Sequence, residues 1–136
     1  MRGTTRDHDN LPAIEAAGAE GVLADPDRVS TLVPALEHVT VIVILLGGAS
    51  GSIEQLRDLH GPRLEMLLTK VLDTTIHGIV YEAVGSVDPT LLNEGAARIH
   101  SVCTKSRIGY GLLQRPRGDP RWLPDAAAAV EATLAG

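Results

Sequence analysis

Aromatic side chains are nearly missing from this sequence: it has two tyrosines, one tryptophan and no phenylalanine. The core must therefore be built from Leu, Val, Ile and Ala. The same scarcity removes the stacking platforms on which single-stranded nucleic acids are held. An excess of positive charge is lacking too. The formal net charge is −5, which argues against nucleic acid as a partner. The single cysteine, Cys103, has no internal partner for a disulfide, which fits a reducing compartment. The histidines, at 8, 38, 60, 77 and 100, show no metal-ligand spacing. There is no signal-peptide pattern and no apolar run long enough to span a membrane. The expectation is a cytoplasmic chain with no membrane partner. Without internal repeats or a low-complexity linker, residues 1–136 read as a single domain.

What the chain does have is one dominant apolar run, Val39-Thr40-Val41-Ile42-Val43-Ile44-Leu45-Leu46, in which seven of eight residues are apolar. It does not alternate polar with apolar, it is rich in β-branched residues, and it ends in Gly47-Gly48. That combination predicts a central strand of a parallel sheet, covered by helices on both faces and paired on both edges. Val41, Val43 and Ile44 should then be buried.

The remaining segments alternate around this strand. Residues 1–6 read as the end of a strand. Asp9 or Asn10 caps a helix with Pro12 in its first turn, and Gly18 suits its exit. Gly21–Ala24 reads as a brief buried strand. Asp25-Pro26 restarts a helix, with Val29, Leu32, Val33 and Leu36 on one face and Pro34 as a kink or early stop. Ser52 caps Ile53–Leu59, and His60-Gly61-Pro62 separates that piece from a longer helix over 62–75. Ile79–Val84 is the next strand. Asp88-Pro89 opens a helix whose buried face carries Leu92, Ala96, Ile99 and Cys103. Ile108–Gln114 is a last strand, and Asp125–Leu134 an alanine-rich terminal helix. Strict alternation predicts an α/β fold, one three-layer parallel sheet with right-handed crossovers.

Four stretches, Val39–Gly48, Leu59-His60-Gly61-Pro62-Arg63, Gly78-Ile79-Val80-Tyr81-Glu82-Ala83 and Tyr110-Gly111-Leu112-Leu113-Gln114-Arg115-Pro116, resemble the extended and atypical short-chain dehydrogenase/reductase superfamily. The resemblance implies a Rossmann-like NAD(P)-binding domain related to nucleoside-diphosphate-sugar epimerases. Its members open with a strand and a Gly-x-x-Gly-x-x-Gly loop that holds the pyrophosphate. By this alignment residues 1–6 match the end of the family's second strand. The expectation is a sheet truncated at the N-terminus, with the first βα unit missing and pairing of two copies through the open edge as one outcome.

The resemblance also implies site residues. Arg6 would follow the second strand and favour the NADP 2′-phosphate, while Asp7 beside it would suit NAD. Asp25, Gly47 and Gly48 would complete the cofactor edge, although helix capping already accounts for Asp25. As a phosphate loop in its own right, Gly47-Gly48-Ala49-Ser50-Gly51 has the right context but a leucine where the first glycine belongs. The family's Tyr-x-x-x-Lys pair is missing. Tyr81, Glu82 and Ser86, at the end of the Ile79–Val84 strand, are the remaining catalytic candidates. For Glu82 the alternative is a pairing with a nearby base. Lys105, Arg107, Arg115, Arg117 and Arg121 form a basic group, either solvated or holding an anion. The expected activity is that of an NAD(P)-dependent oxidoreductase or epimerase acting on a small molecule. A non-catalytic dinucleotide-sensing or protein-interaction module is the other reading.

Overall fold

The computed structural model describes residues 1–135. Five short strands alternate with helices: β1 (Arg2–Thr5), α1 (Leu11–Ala16), β2 (Glu20–Leu23), β3 (Val41–Ile44), α2 (Ile53–Leu59), α3 (Pro62–Val71), β4 (Gly78–Glu82), α4 (Pro89–Ser106), β5 (Gly109–Leu113) and α5 (Trp122–Ala135). Every strand pairing is parallel. The fold is α/β and Rossmann-like, in the element order that the sequence implies except between β2 and β3.

Two helix starts, those of α2 and α4, follow their expected caps, whereas Asn10 before α1 makes no side-chain capping bond. Ser52 and Gln55 form a reciprocal capping box at α2, each side chain bonding the other's backbone N–H. The Asp88 carboxylate accepts the Thr90 N–H ahead of Pro89, at the head of α4. Gly18 follows the last residues of α1 with φ +92°, a conformation in which a side chain would be strained.

The sheet corrects one expectation. Instead of a single sheet there are two, β2–β1 and β3–β4–β5. The central strand of the larger sheet is β4, with all five residues buried. β3 lies at its edge. Ile44 is buried as expected, but Val41 is only half-buried and Val43 is 39% exposed. The reason is topological: among the described residues nothing pairs with the outer edge of β3 or with that of β1. A second correction concerns 25–38. No α-helix forms there. Two 3-10 turns, Val29–Thr31 and Val33–Leu36, take its place. Pro34 lacks the N–H an α-helix would need and crowds the preceding turn. Val29, Leu32 and Leu36 still reach the core, whereas Val33 is exposed. The strand expected to be buried at 21–24 is also open, with Leu23 facing solvent. The helix expected over 62–75 stops at Val71, and Leu72 beyond it is exposed.

Register sorts the side chains of the larger sheet. Val41, Gly78 and Gly109 are aligned, as are Val43, Val80 and Gly111. Their face meets α5: a Cβ on Gly78 would lie 2.5 Å from the Thr133 hydroxyl, and one on Gly111 would touch Ala129. The glycines that weaken β5 as a strand are what let α5 lie against it. The opposite face carries Ile44, Ile79, Tyr81 and Leu112. It packs against Leu64, Leu67 and Leu68 of α3 and Ile99 and Cys103 of α4. Cys103 is a core thiol, its pKa pushed up to about 11 by burial.

Candidate functional site

In parallel α/β sheets the loops after the strand C-termini form the ligand crevice. Each candidate residue lies at or just after the C-terminal end of a strand. Arg6 follows β1 and is exposed; Asp25 lies two residues beyond β2; Gly47 and Gly48 follow β3; Glu82 ends β4; Ser86 lies exposed in the loop after it.

A buried carboxylate organises the β3–β4–β5 end. The Glu82 side chain is 2% exposed. Its Oε1 accepts the Gly47 N–H at 2.8 Å and Nη2 of Arg117 at 2.8 Å, while Oε2 accepts Nε of Arg117 at 2.7 Å. Arg117 also donates to the Leu45 carbonyl at 3.2 Å. One two-pronged ion pair thus ties together the ends of β3 and β4 and the loop after β5. The bond from Glu82, more than its charge alone, raises the Arg117 pKa. The β3 and β4 loops also touch directly. The Val87 N–H donates to the Gly47 carbonyl at 3.0 Å, a Cβ on Gly47 would lie 2.2 Å from the Val84 carbonyl, and one on Gly85 would lie 2.0 Å from the Gly47 carbonyl. No side chain fits at either position.

Beneath this lies a second buried pair. The Tyr81 hydroxyl donates to Nδ1 of His60 at 2.5 Å, and Nε2 of His60 donates to the Leu46 carbonyl at 3.0 Å. This is the neutral tautomer with its proton on Nε2. Burial lowers the His60 pKa against opposing pulls from the Leu46 carbonyl and Glu82, and burial raises that of Tyr81. Gly95 of α4 leaves the space for the phenol: a Cβ there would lie 2.1 Å from the hydroxyl. Tyr81 is therefore enclosed in the core, Glu82 is fully bonded, and Ser86 alone of the three catalytic candidates faces solvent.

The cofactor candidates divide in the same way. Among the described residues no side-chain bond holds Arg6. One Asp25 oxygen accepts the Asp27 N–H at 2.9 Å, so Asp25 shapes a turn rather than capping an α-helix. Gly48 has open space around it. The Gly47 N–H is taken by Glu82, and the N-terminus of α2 is closed by its own capping box. The Gly47 and Ala49 N–H groups are thus committed within the protein. Among the described residues no glycine cradle for a pyrophosphate is formed.

The basic group does not converge. Arg115 bonds Asp119 and Asp125, Arg121 pairs with Asp119, and Arg117 is held by Glu82. Arg107 ends α4 in the left-handed region, φ +57°, at the opposite end of β5. An open cleft of about 560 Å³ lies between β5 and α5, lined by Leu112, Leu113, Gln114, Arg115, Trp122 and Asp125 among others. Among the described residues no group of acidic, histidine or cysteine side chains could hold a metal, and no helix is long and apolar enough to cross a membrane.

Sequence reasoning missed His60 and the specific role of Arg117. The signal for Arg117 was present: an acid on a strand with the composition of a buried one requires a base, and the arginines that follow β5 are the candidates. His60 gave no such signal, because a histidine in a His-Gly-Pro break reads as a loop residue.

No protein-family model matches the chain, and no curated protein matches it in sequence. Solved structures match it in fold. Triphenylmethane reductase of Citrobacter sp. superposes with a TM-score of 0.62 at 18% identity, over 96% of this chain and 45% of that one. A structure of the same reductase complexed with NADP(H) gives the same score over 84% and 39%. An NADPH-dependent quinone oxidoreductase of Escherichia coli matches with a TM-score of 0.57 at 20% identity, covering 96% and 42%. A nucleoside-diphosphate-sugar epimerase of Staphylococcus aureus matches with 0.58 at 13%, covering 82% and 39%. The chain spans less than half the length of these proteins. The likeness is one of fold, the Rossmann fold of NAD(P)-linked reductases and epimerases.

Proposed function

We propose that this chain is the greater part of an NAD(P)-binding domain of the short-chain dehydrogenase superfamily, serving an oxidoreductase or epimerase that acts on a small molecule in the cytoplasm. The observation that carries this reading is that Arg6, Asp25, Gly48 and Ser86 each follow the C-terminal end of a parallel strand, on a fold similar to that of NADPH-linked reductases. Arg6 and Asp25 would meet the adenosine end. Arg6, which follows β1 and has no ion pair among the described residues, favours NADP through its 2′-phosphate. Gly48 leaves room for close approach near β3, and Ser86 offers a hydroxyl beyond β4. Gly47 would act indirectly, since its N–H is committed to Glu82. Tyr81 and Glu82 would position the β3 and β4 loops rather than touch substrate. A bound nicotinamide would supply hydride chemistry. The buried state of Tyr81 and Glu82 keeps the second reading, a dinucleotide-binding module without turnover.

Pyrophosphate affinity in this fold comes chiefly from the glycine loop and the helix it opens. Titration calorimetry should therefore find NADP binding to this chain millimolar or weaker, at ~1.5–3 kcal/mol for each charge-assisted hydrogen bond forgone. Joined to a strand, glycine loop and helix, the same chain should bind NADP in the micromolar range, and Arg6→Ala should weaken NADP more than NAD. Absence of binding by the joined form would overturn the proposal. Binding without NADPH oxidation across a panel of quinones and dyes would select the module.

A further inference from the structure

The segment from the β3 loop through α2 is lightly held. No residue from Gly48 to Leu59 is buried, and Ile53 is 70% exposed. Ala49 and Leu56 pack in part against Val87, Leu91 and Leu92. A helix as short as α2 does not persist without packing. The residues that bound this segment differ from it: Gly47 is buried at one end and His60 at the other. They are also tied to each other. Nε2 of His60 donates to the Leu46 carbonyl, and the N–H of that same peptide group, on Gly47, donates to Glu82. The peptide is thus held by two neighbours on β4, by Glu82 directly and by Tyr81 through His60. A carboxylate on the N–H makes the carbonyl a better acceptor, so the two bonds reinforce each other.

Only neutral His60 fits this arrangement. Its Nδ1 accepts from the Tyr81 hydroxyl and has no room for a proton. An imidazolium there would be a buried charge without a carboxylate partner. Glu82 attracts it but is already bonded to Arg117. Arg98 of α4, close to Gly61, opposes it and is itself paired with Glu65 of α3. Arg57 and Asp58 of α2 are exposed, and Arg63 of α3 is half-buried. A buried, unpaired charge is expelled rather than kept. His60 stands in the two-residue break between α2 and α3, where the chain can turn it outward.

We infer that His60 is the latch of a flap, residues 48–59, that carries Gly48: neutral, it closes the flap by holding the Leu46 carbonyl; protonated, it swings out and frees the Leu46–Gly47 peptide. Its role, regulation of the cofactor edge by acidity, rests on the proposed function. Opening takes up a proton. Closure is therefore full above the ordinary histidine value of about 6.5 and is lost as pH falls towards the folded value.

Native-state amide exchange of the whole chain, without ligand, reads the latch at about pH 7.5 and about pH 5.5. After correction for the intrinsic pH dependence, protection of the Gly47 and Leu56 N–H groups should fall severalfold, with about tenfold as the limit one unit below 6.5. Dilute urea should leave these two rates unchanged, because a local opening exposes little surface. Val80, at the centre of β4, should exchange by global unfolding and respond to urea. This comparison needs no variant. His60→Gln keeps one acceptor and one donor but does not titrate; it should retain the protection seen at the higher pH and lose the pH dependence. Equal protection at both pH values overturns the inference. So does a fall as sensitive to urea as that of Val80, or a pH dependence that survives in His60→Gln. NADP enters none of these measurements. A latch that opens in a chain that never binds NADP fails only the proposed function, and NADP binding with a pH-insensitive flap fails only the inference.

Discussion

Arg117→Ala should be among the most damaging surface substitutions in the molecule, because it strands a buried charge. Arg117 is half in water, with its side chain 54% exposed, while the Glu82 side chain is almost wholly enclosed. Removing the guanidinium deletes two charge-assisted bonds and the countercharge, leaving Glu82 with the Gly47 N–H alone. Breaking a buried pair from one side typically costs 3–5 kcal/mol. The half-exposed arginine allows water to follow it in, which favours the lower end, about 3 kcal/mol. For a chain of this size that is a loss of about 10 °C in Tm. Glu82→Gln should cost less, about 1–2 kcal/mol, because an amide oxygen still accepts from Gly47. The double variant should cost clearly less than the sum, with a coupling of at least ~1.5 kcal/mol. Urea denaturation of the four proteins measures the cycle. A cost below ~1 kcal/mol for Arg117→Ala, or additive single costs, would refute the claim that this pair holds the three strand ends together.

Three further substitutions test the interior. His60 is buried neutral with its pKa below the usual 6.5, so below 6.5 the unfolded chain binds the extra proton first; stability should be full above that pH and fall as pH drops towards the folded value. His60→Leu should remove that slope between pH 5 and 7 in pH-dependent urea melts, whatever its effect at neutral pH. Gly95→Ala drives a methyl into the Tyr81 hydroxyl and should cost about 1–3 kcal/mol by overpacking, with Tyr81→Phe partly relieving it in a double variant. Ile44→Ala, at the one fully buried position of β3, should cost roughly 2–5 kcal/mol by the same assay.

Much of the fold was legible because local signals agreed with one another. Ser52 before Ile53 and Asp88-Pro89 each fix a helix start through capping, and the expected buried stripe Leu64, Leu67, Leu68, Val71 and Leu72 places α3, with Leu72 alone falling exposed beyond its end. Residues 25–38 were misread because a helical apolar spacing and a helix-breaking proline competed. With Pro34 in place, two 3-10 turns bury nearly the same side chains. The site was legible only in part. Position at a strand end can be read from sequence, as for Arg6, Gly48 and Ser86. Whether a polar group is free or already bonded cannot: Glu82 and Tyr81 lie next to each other in sequence but point to opposite faces, one to Arg117 and one to His60. Those partners lie 35 and 21 residues away.

β3 shows how a mistaken expectation can carry information. Composition reports the environment a segment is suited to, and the fold reports the environment the described residues provide. For β4 the two agree, and all five residues are buried. For β3 they differ at named positions, Val43 and Leu45, and differ in one direction only, too apolar for the exposure they have. An edge strand that worked alone would carry charge, proline or a bulge to deter pairing. β3 carries none of these among Val41–Ile44. The Arg2 bridge to Ala35 and Glu37 meanwhile ties β1 to the chain that enters β3. An apolar, undefended edge is a pairing site, so self-association should rise with concentration in sedimentation runs and fall when Val43 is changed to Lys. A monomer that stays sharp and cooperative in its melt at high concentration, with Val43→Lys leaving it unchanged, would mean that the edge is protected by something other than pairing.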